Sequence, residues 1–180
     1  MTLKMTAVLE IEHQHSQKLT QLTPLLAEQP FFTLDALSDG DLSWWINQQL
    51  QDARHEDGGI ELKYVSSLAG GYVLQQDGQL LSLPGCCASL SDIGSWVELA
   101  RGVTENFYQG HPAPVLSIEH DNLCFSWFSG SPCQDACISL LELEKCTQEM
   151  ERIVQGIAFR IEKLTQNHAL AQVLVYGKYA

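Results

Sequence analysis

The sequence predicts an α+β protein, an antiparallel sheet of four to six strands packed against helices with a long C-terminal helix. Three stretches carry that reading. Asp77-Gly78 separates two alternating segments, 72–76 and 79–83, and Asp-Gly supplies the positive-φ pair of a tight type I′ hairpin turn. The short polar turn His120-Asp121-Asn122 separates a second such pair, 114–119 and 123–128. From Leu143 onward, Cys146, Met150, Ile153, Val154, Ile157, Ile161 and Leu164 keep a three- and four-residue step over about 25 residues, the period of one amphipathic helix.

The remaining elements follow from local chemistry. Val8, Ile11, Leu19, Leu22, Leu25 and Leu26 recur at helical steps in part, so 1–34 is expected to be a helical segment broken near Pro24. Ser38-Asp39-Gly40-Asp41 forms a turn and N-cap for a helix with Leu42, Trp45, Ile46, Gln49 and Leu50 on one face. Ile60, Leu62 and Tyr64 alternate with polar residues as a half-buried strand would. Ser91 or Asp92 can cap a short helix bearing Ile93, Trp96, Val97, Leu99 and Ala100, closed by Gly102. Ser139-x-x-Glu142 has the form of a capping box ahead of the long helix, and 171–176 reads as a final strand. No repeat, linker or low-complexity block divides the chain, so its 180 residues are expected to form one domain spanning 1–180.

Composition narrows the function. Ten Lys and Arg against 22 Asp and Glu give a formal charge of −12. A nucleic-acid binder must displace counterions from phosphate with clustered bases, and an anionic membrane would repel this chain. No apolar run approaches the roughly 20 residues needed to cross a bilayer, and no secretory leader is expected. A cytoplasmic protein is the expectation.

Six cysteines without an export signal are expected to be buried, reduced thiols, with Cys133 and Cys137 spaced as on one helical turn. Neither paired C-x2-C knuckles nor His residues at ligand spacing occur, so no metal and no cofactor is expected. P-loop, dinucleotide-binding, nucleophile-elbow and H-E-x-x-H motifs are missing, and catalysis is not expected. The enzyme alternative is a thiol- or metal-dependent site on Cys86, Cys87 and His111, because a thiolate needs a neighbouring imidazole or helix N-terminus. A further alternative is an adaptor subunit using the long apolar helix as a dimer seam.

The acids are unevenly placed. Asp35, Asp39, Asp41, Asp52, Glu56, Asp57 and Glu61 crowd one segment with Arg54 as its lone basic residue, and Trp44 stands beside Trp45. An acidic rim around an exposed tryptophan would attract and anchor a basic protein. These eight residues, the seven acids and Trp44, are the candidate partner-binding set.

The stretch Leu83-Pro84-Gly85-Cys86-Cys87-Ala88-Ser89-Leu90-Ser91-Asp92-Ile93-Gly94-Ser95-Trp96, followed by Gly110-His111-Pro112-Ala113-Pro114-Val115 and the strand pair to Phe128, resembles the SUKH superfamily of bacterial immunity proteins. The resemblance covers residues 83–128, about a quarter of the chain. It implies a non-enzymatic protein that neutralises a cognate toxin, often a nuclease, by direct binding. A basic toxin domain would suit an acidic neutraliser.

Overall fold

The computed structural model describes residues 2–11, 22–27, 29–55 and 58–177. The protein is α+β. Its strands are β1 (Leu3–Glu10), β2 (Phe31–Thr33), β3 (Gly70–Gln76), β4 (Gln79–Ser82), β5 (Val115–Glu119), β6 (Asn122–Ser126) and β7 (Ala136–Ser139). Its helices are α1 (Asp39–Gln49), α2 (Ile93–Ala100), α3 (Leu140–Thr165) and α4 (His168–Tyr176). The strands divide between two antiparallel sheets, one ordered β2-β1-β3-β4 and one ordered β5-β6-β7.

Both hairpins form where the turns predict them. Asp77 and Gly78 take φ of 49° and 84° between β3 and β4, and His120 takes 56° between β5 and β6. Ser38 caps α1, its hydroxyl accepting the Asp41 N–H at 3.1 Å, and Leu42, Trp45 and Ile46 face inward. α3 is the long helix foreseen. It buries Leu143, Met150, Val154, Ile157 and Ile161 against the first sheet and packs on the other three helices.

Five expectations need correction. Leu3–Glu10 is a strand, not part of a helix. It runs antiparallel to β3 along its length, and residues 5–9 are buried in succession, which hides the alternation that marks a strand. Residues 12–21 and 28 of that expected helix lie outside the described residues; 22–27 form no helix, and Phe31–Thr33 is the strand β2. Leu62–Tyr64 is a single 3-10 turn, because only Ile60 finds a ladder partner, in Arg54.

The segment 171–176 belongs to α4. Asn167 accepts the Leu170 N–H at 2.9 Å and starts a helix whose apolar side chains are buried. A short apolar run fits either period, and here the cap decides.

The capping box lies at Ser89 and Asp92, not at Ser139 and Glu142. Asp92 accepts the Ser89 N–H at 2.8 Å. The start of α3 is held instead from outside, by the Asp121 carbonyl, which accepts the Leu140 N–H at 3.0 Å.

Cys124 and Cys137 are not free thiols but a disulfide joining β6 to β7. The two residues sit directly opposite in the ladder with Cα atoms 4.0 Å apart, so their sulfurs meet without bending the sheet. Cys133 lies in the preceding loop, so no helical turn links it to Cys137.

One face of the first sheet carries Ala7, Leu9, Phe32, Tyr72 and Leu74 into the main core with Trp45, Trp96, Val154 and Leu174. The Tyr72 hydroxyl donates to the Leu90 carbonyl at 2.7 Å, and burial pushes its phenol well above the usual tyrosine range. The other face holds a smaller cluster of Val8, Phe31 and Val73, with Leu25, Leu80 and Leu83 over it. Beside that cluster the second sheet is tied on: Gln134 N–H donates to the Leu80 carbonyl at 2.8 Å and Trp127 Nε1 to the Leu81 carbonyl at 2.9 Å.

α3 also guards the side of β1 that the short β2 leaves uncovered. The half-buried Cys146 thiol donates to the Leu3 carbonyl at 3.7 Å, and burial raises its pKa. No helix among the described residues is long and apolar enough to cross a membrane.

Candidate functional site

The acidic segment folds around α1, and part of its charge is spent internally. Asp39 is exposed, yet it accepts two bonds from Arg160, at 3.0 and 2.8 Å, while the same guanidinium reaches the Leu37 carbonyl at 2.7 Å. This clamp fixes the entry to α1 against α3. Asp41 is buried, and Ser38 Oγ donates to its carboxylate at 2.5 Å, so it serves the cap and is withdrawn from the surface. Glu61 pairs with Lys63 and, at 3.1 Å, with His55; the bond from Lys63 is the main reason its carboxyl stays below the usual range.

Trp44 is half-buried, stacked on Trp45 with centroids 6.1 Å apart, and packs against the core rather than standing free. Asp35 and Asp52 do present their charge on the exposed surface. Glu56 and Asp57 lie outside the described residues. The segment therefore brings fewer carboxylates to a partner than its composition promises.

A second surface was not singled out from sequence. Among the described residues β5 is an edge strand, paired only to β6. Val115 is 73% exposed and Ile118 38%, with Phe128 53% exposed just beyond β6. The close 4.0 Å approach of Cys124 to Cys137 marks a non-hydrogen-bonded pair, so Cys124 turns its backbone groups toward Ser117 of β5. By alternation Val115, Ser117 and Glu119 bond inward, and the N–H and C=O of Leu116 and Ile118 point away from the sheet. Glu119, Asp121 and Asp135 stand exposed on the same small sheet and its loops. An open ladder with apolar side chains and a carboxylate rim can accept another chain.

A cleft opens at the Val115 end of this sheet, where its loops meet the outer face of the first one. Its volume is about 300 Å³, and its walls include Glu10, Phe31, Leu83, Cys86, His111, Pro112, Trp127 and Cys133. Two chain segments cross here. Cys86 N–H donates to the His111 carbonyl at 3.0 Å and His111 N–H to the Cys86 carbonyl at 3.3 Å. That reciprocal bridge puts the Cys86 and His111 side chains on one side, as cross-strand partners are.

The crossing is close because Gly85 and Gly110 lack side chains; a Cβ on Gly85 would lie 2.5 Å from the His111 carbonyl oxygen. Gln109, buried beneath, bonds the Ser82 hydroxyl and, at 3.0 Å, the Leu83 carbonyl. The His111-Pro112 peptide is cis.

The thiols around the cleft differ. Cys86 and Cys87 are exposed, whereas Cys133 is buried and burial pushes its thiol up to about 11. Among the described residues, the one set of three potential ligands whose donor atoms lie within 4.8 Å of one another is Glu119, Cys124 and Cys137, and two of those are the disulfide. Cys86, Cys133 and His111 line one cleft without reaching that spacing.

Alkylation checks this thiol inventory. At pH 8 the native protein is expected to label rapidly at Cys86 and Cys87 alone, because Cys133 and Cys146 are screened and protonated. Denaturation without reductant raises the count to four thiols, and denaturation with reductant to six. Mass spectrometry reads the counts directly.

Comparison with protein-family models, with curated proteins and with solved structures finds no match.

Proposed function

We propose that this protein is a non-catalytic, acidic binding protein of the immunity type, which neutralises a basic bacterial toxin domain by covering it. The observation that carries this reading is the open edge of β5. It combines free ladder groups, exposed Val115 and Ile118, and nearby carboxylates on a chain with formal charge −12. Long-range attraction raises the encounter rate, and apolar burial along the edge holds the complex. Asp35 and Asp52 add to the field from the short turns on either side of α1. The resemblance of residues 83–128 to immunity proteins agrees with it.

The Cys124–Cys137 bond persists in oxidising surroundings. In a reducing cytoplasm, the expected location of the chain, the same pair would be held as two thiols.

The test is co-expression with the toxic C-terminal domain of a secreted protein encoded by an adjoining reading frame. Restored growth and a 1:1 complex support the reading; neighbouring frames of purely metabolic content, or a toxin domain unaffected by this chain, overturn it. Lysine at both Val115 and Ile118 is expected to weaken that complex about tenfold or more, since charge on an edge strand blocks pairing. Both side chains are exposed, so the melting temperature should hold. Association should also slow steeply with added salt.

The Cys86–His111 bridge favours a second reading, thiol chemistry at the mouth of the cleft. It requires Cys86 to outrun Cys87 in alkylation and to lose that advantage when His111 is replaced by alanine.

A further inference from the structure

The cleft beside β5 is chemically lopsided. Among the described residues, Glu10 is its one lining carboxylate, and neither lysine nor arginine lines it. Glu10 pairs directly with Phe31 across β1 and β2, so carboxylate and ring project from one face of the sheet. Trp127 forms another wall, and its position is fixed twice: Nε1 donates to the Leu81 carbonyl at 2.9 Å and its backbone N–H to Asp135 at 2.7 Å. Leu83, Pro112 and Pro132 complete apolar walls along which an alkyl stem can lie.

A volume of about 300 Å³ is at the small end for ligand sites, enough for one long side chain or a fragment. A negative group among aromatic and apolar walls selects a cation carried on a hydrocarbon stem. A planar guanidinium meets these walls better than a compact ammonium, because it stacks on rings while forking onto a carboxylate. The chain's charge of −12 adds to the attraction. The cleft's position adjoins the docking edge: only Ala113 and Pro114 separate Pro112 from β5, and Trp127 directly precedes the exposed Phe128.

We propose that this cleft receives an arginine side chain of the protein partner, with Glu10 as its counter-charge, Trp127 as the ring it stacks against and the buried Phe31 as floor. The proposal rests on the protein-binding reading and names the anchor of that contact. A partner seated on β5 would place one arginine at the end of its docked segment, where burial and charge pairing coincide, as at the hot spots of other interfaces.

The test needs no partner. N-acetyl-arginine methylamide is titrated into the full chain, followed by NMR of the Trp127 indole, against N-acetyl-citrulline methylamide, which has the same shape without the charge. Saturable binding of the arginine amide is expected, about fivefold weaker or more for the citrulline amide and for Glu10→Gln. Trp127→Leu should weaken it as well, and Glu10→Gln should leave the melting temperature in place. Equal affinity for the two amides, undiminished affinity in Glu10→Gln, or no saturable binding would overturn the proposal. Any of these results leaves the β5 reading to the growth assay, whereas failure of that assay with arginine binding intact would remove the partner and keep the site.

Discussion

Alanine at Gly110 is expected to lower stability by about 3 kcal/mol and to open the cleft. Gly110 holds φ at +83°, a region where a side chain costs energy by itself, and its Cβ would stand 2.6 Å from the Gly85 carbonyl carbon. Backbone is on the other side of that contact, so no flexible side chain can move aside. The Cys86–His111 bridge is the nearest thing that can yield. Urea titration should show a lower midpoint with unchanged slope. Gly156→Ala is the control: this glycine is exposed within α3 with open space around it, and alanine there should raise stability by up to about 1 kcal/mol. If Gly110→Ala melted with the parent protein, the tight crossing of the two segments would be wrong.

The second large effect is expected at Trp96. Its indole is fully buried and meets Phe107 edge-on with centroids 4.8 Å apart. Trp96→Ala leaves a cavity between α2 and the rest of the core and should cost about 4 kcal/mol, roughly 10 °C in melting temperature for a chain of this size. Trp96→Phe separates volume from polarity. The Trp96 Nε1–H has no hydrogen-bond partner among the described residues. Phenylalanine discards that unsatisfied donor while keeping most of the ring, so its cost should stay below about 2 kcal/mol. A phenylalanine variant as unstable as the alanine one would mean that the indole nitrogen is bonded after all.

The sequence was most legible where structure is local. Asp77-Gly78, the Ser38 cap and the period of α3 each act within a few residues, and each formed as read. It was least legible where burial comes from both sides. β1 is sandwiched, so its five successive buried residues carry no alternation, and α4 is short enough for its apolar run to pass as a strand.

For the site the division is similar. That Asp39 and Glu61 are acidic is plain in the sequence; that Arg160, 121 residues away, holds the first and Lys63 the second is not. The cleft joins Glu10, Cys86, His111 and Cys133, which have no common spacing to betray them. Pro114 and the Gly110-His111-Pro112 run were the available signal, since such punctuation beside a strand marks a place where the backbone must come close to something else.

The uncovered rung of β5 has a consequence for the isolated molecule. Apart from Pro114 at one end, the strand lacks the lysines and bulges with which many proteins keep like sheets from stacking into fibres. Mutual repulsion between equally charged copies does that job here, and it fades as the solution approaches the isoelectric point near 4.7. The surplus of carboxylates thus also acts as a colloidal safeguard, keeping an adhesive border from finding its own twin.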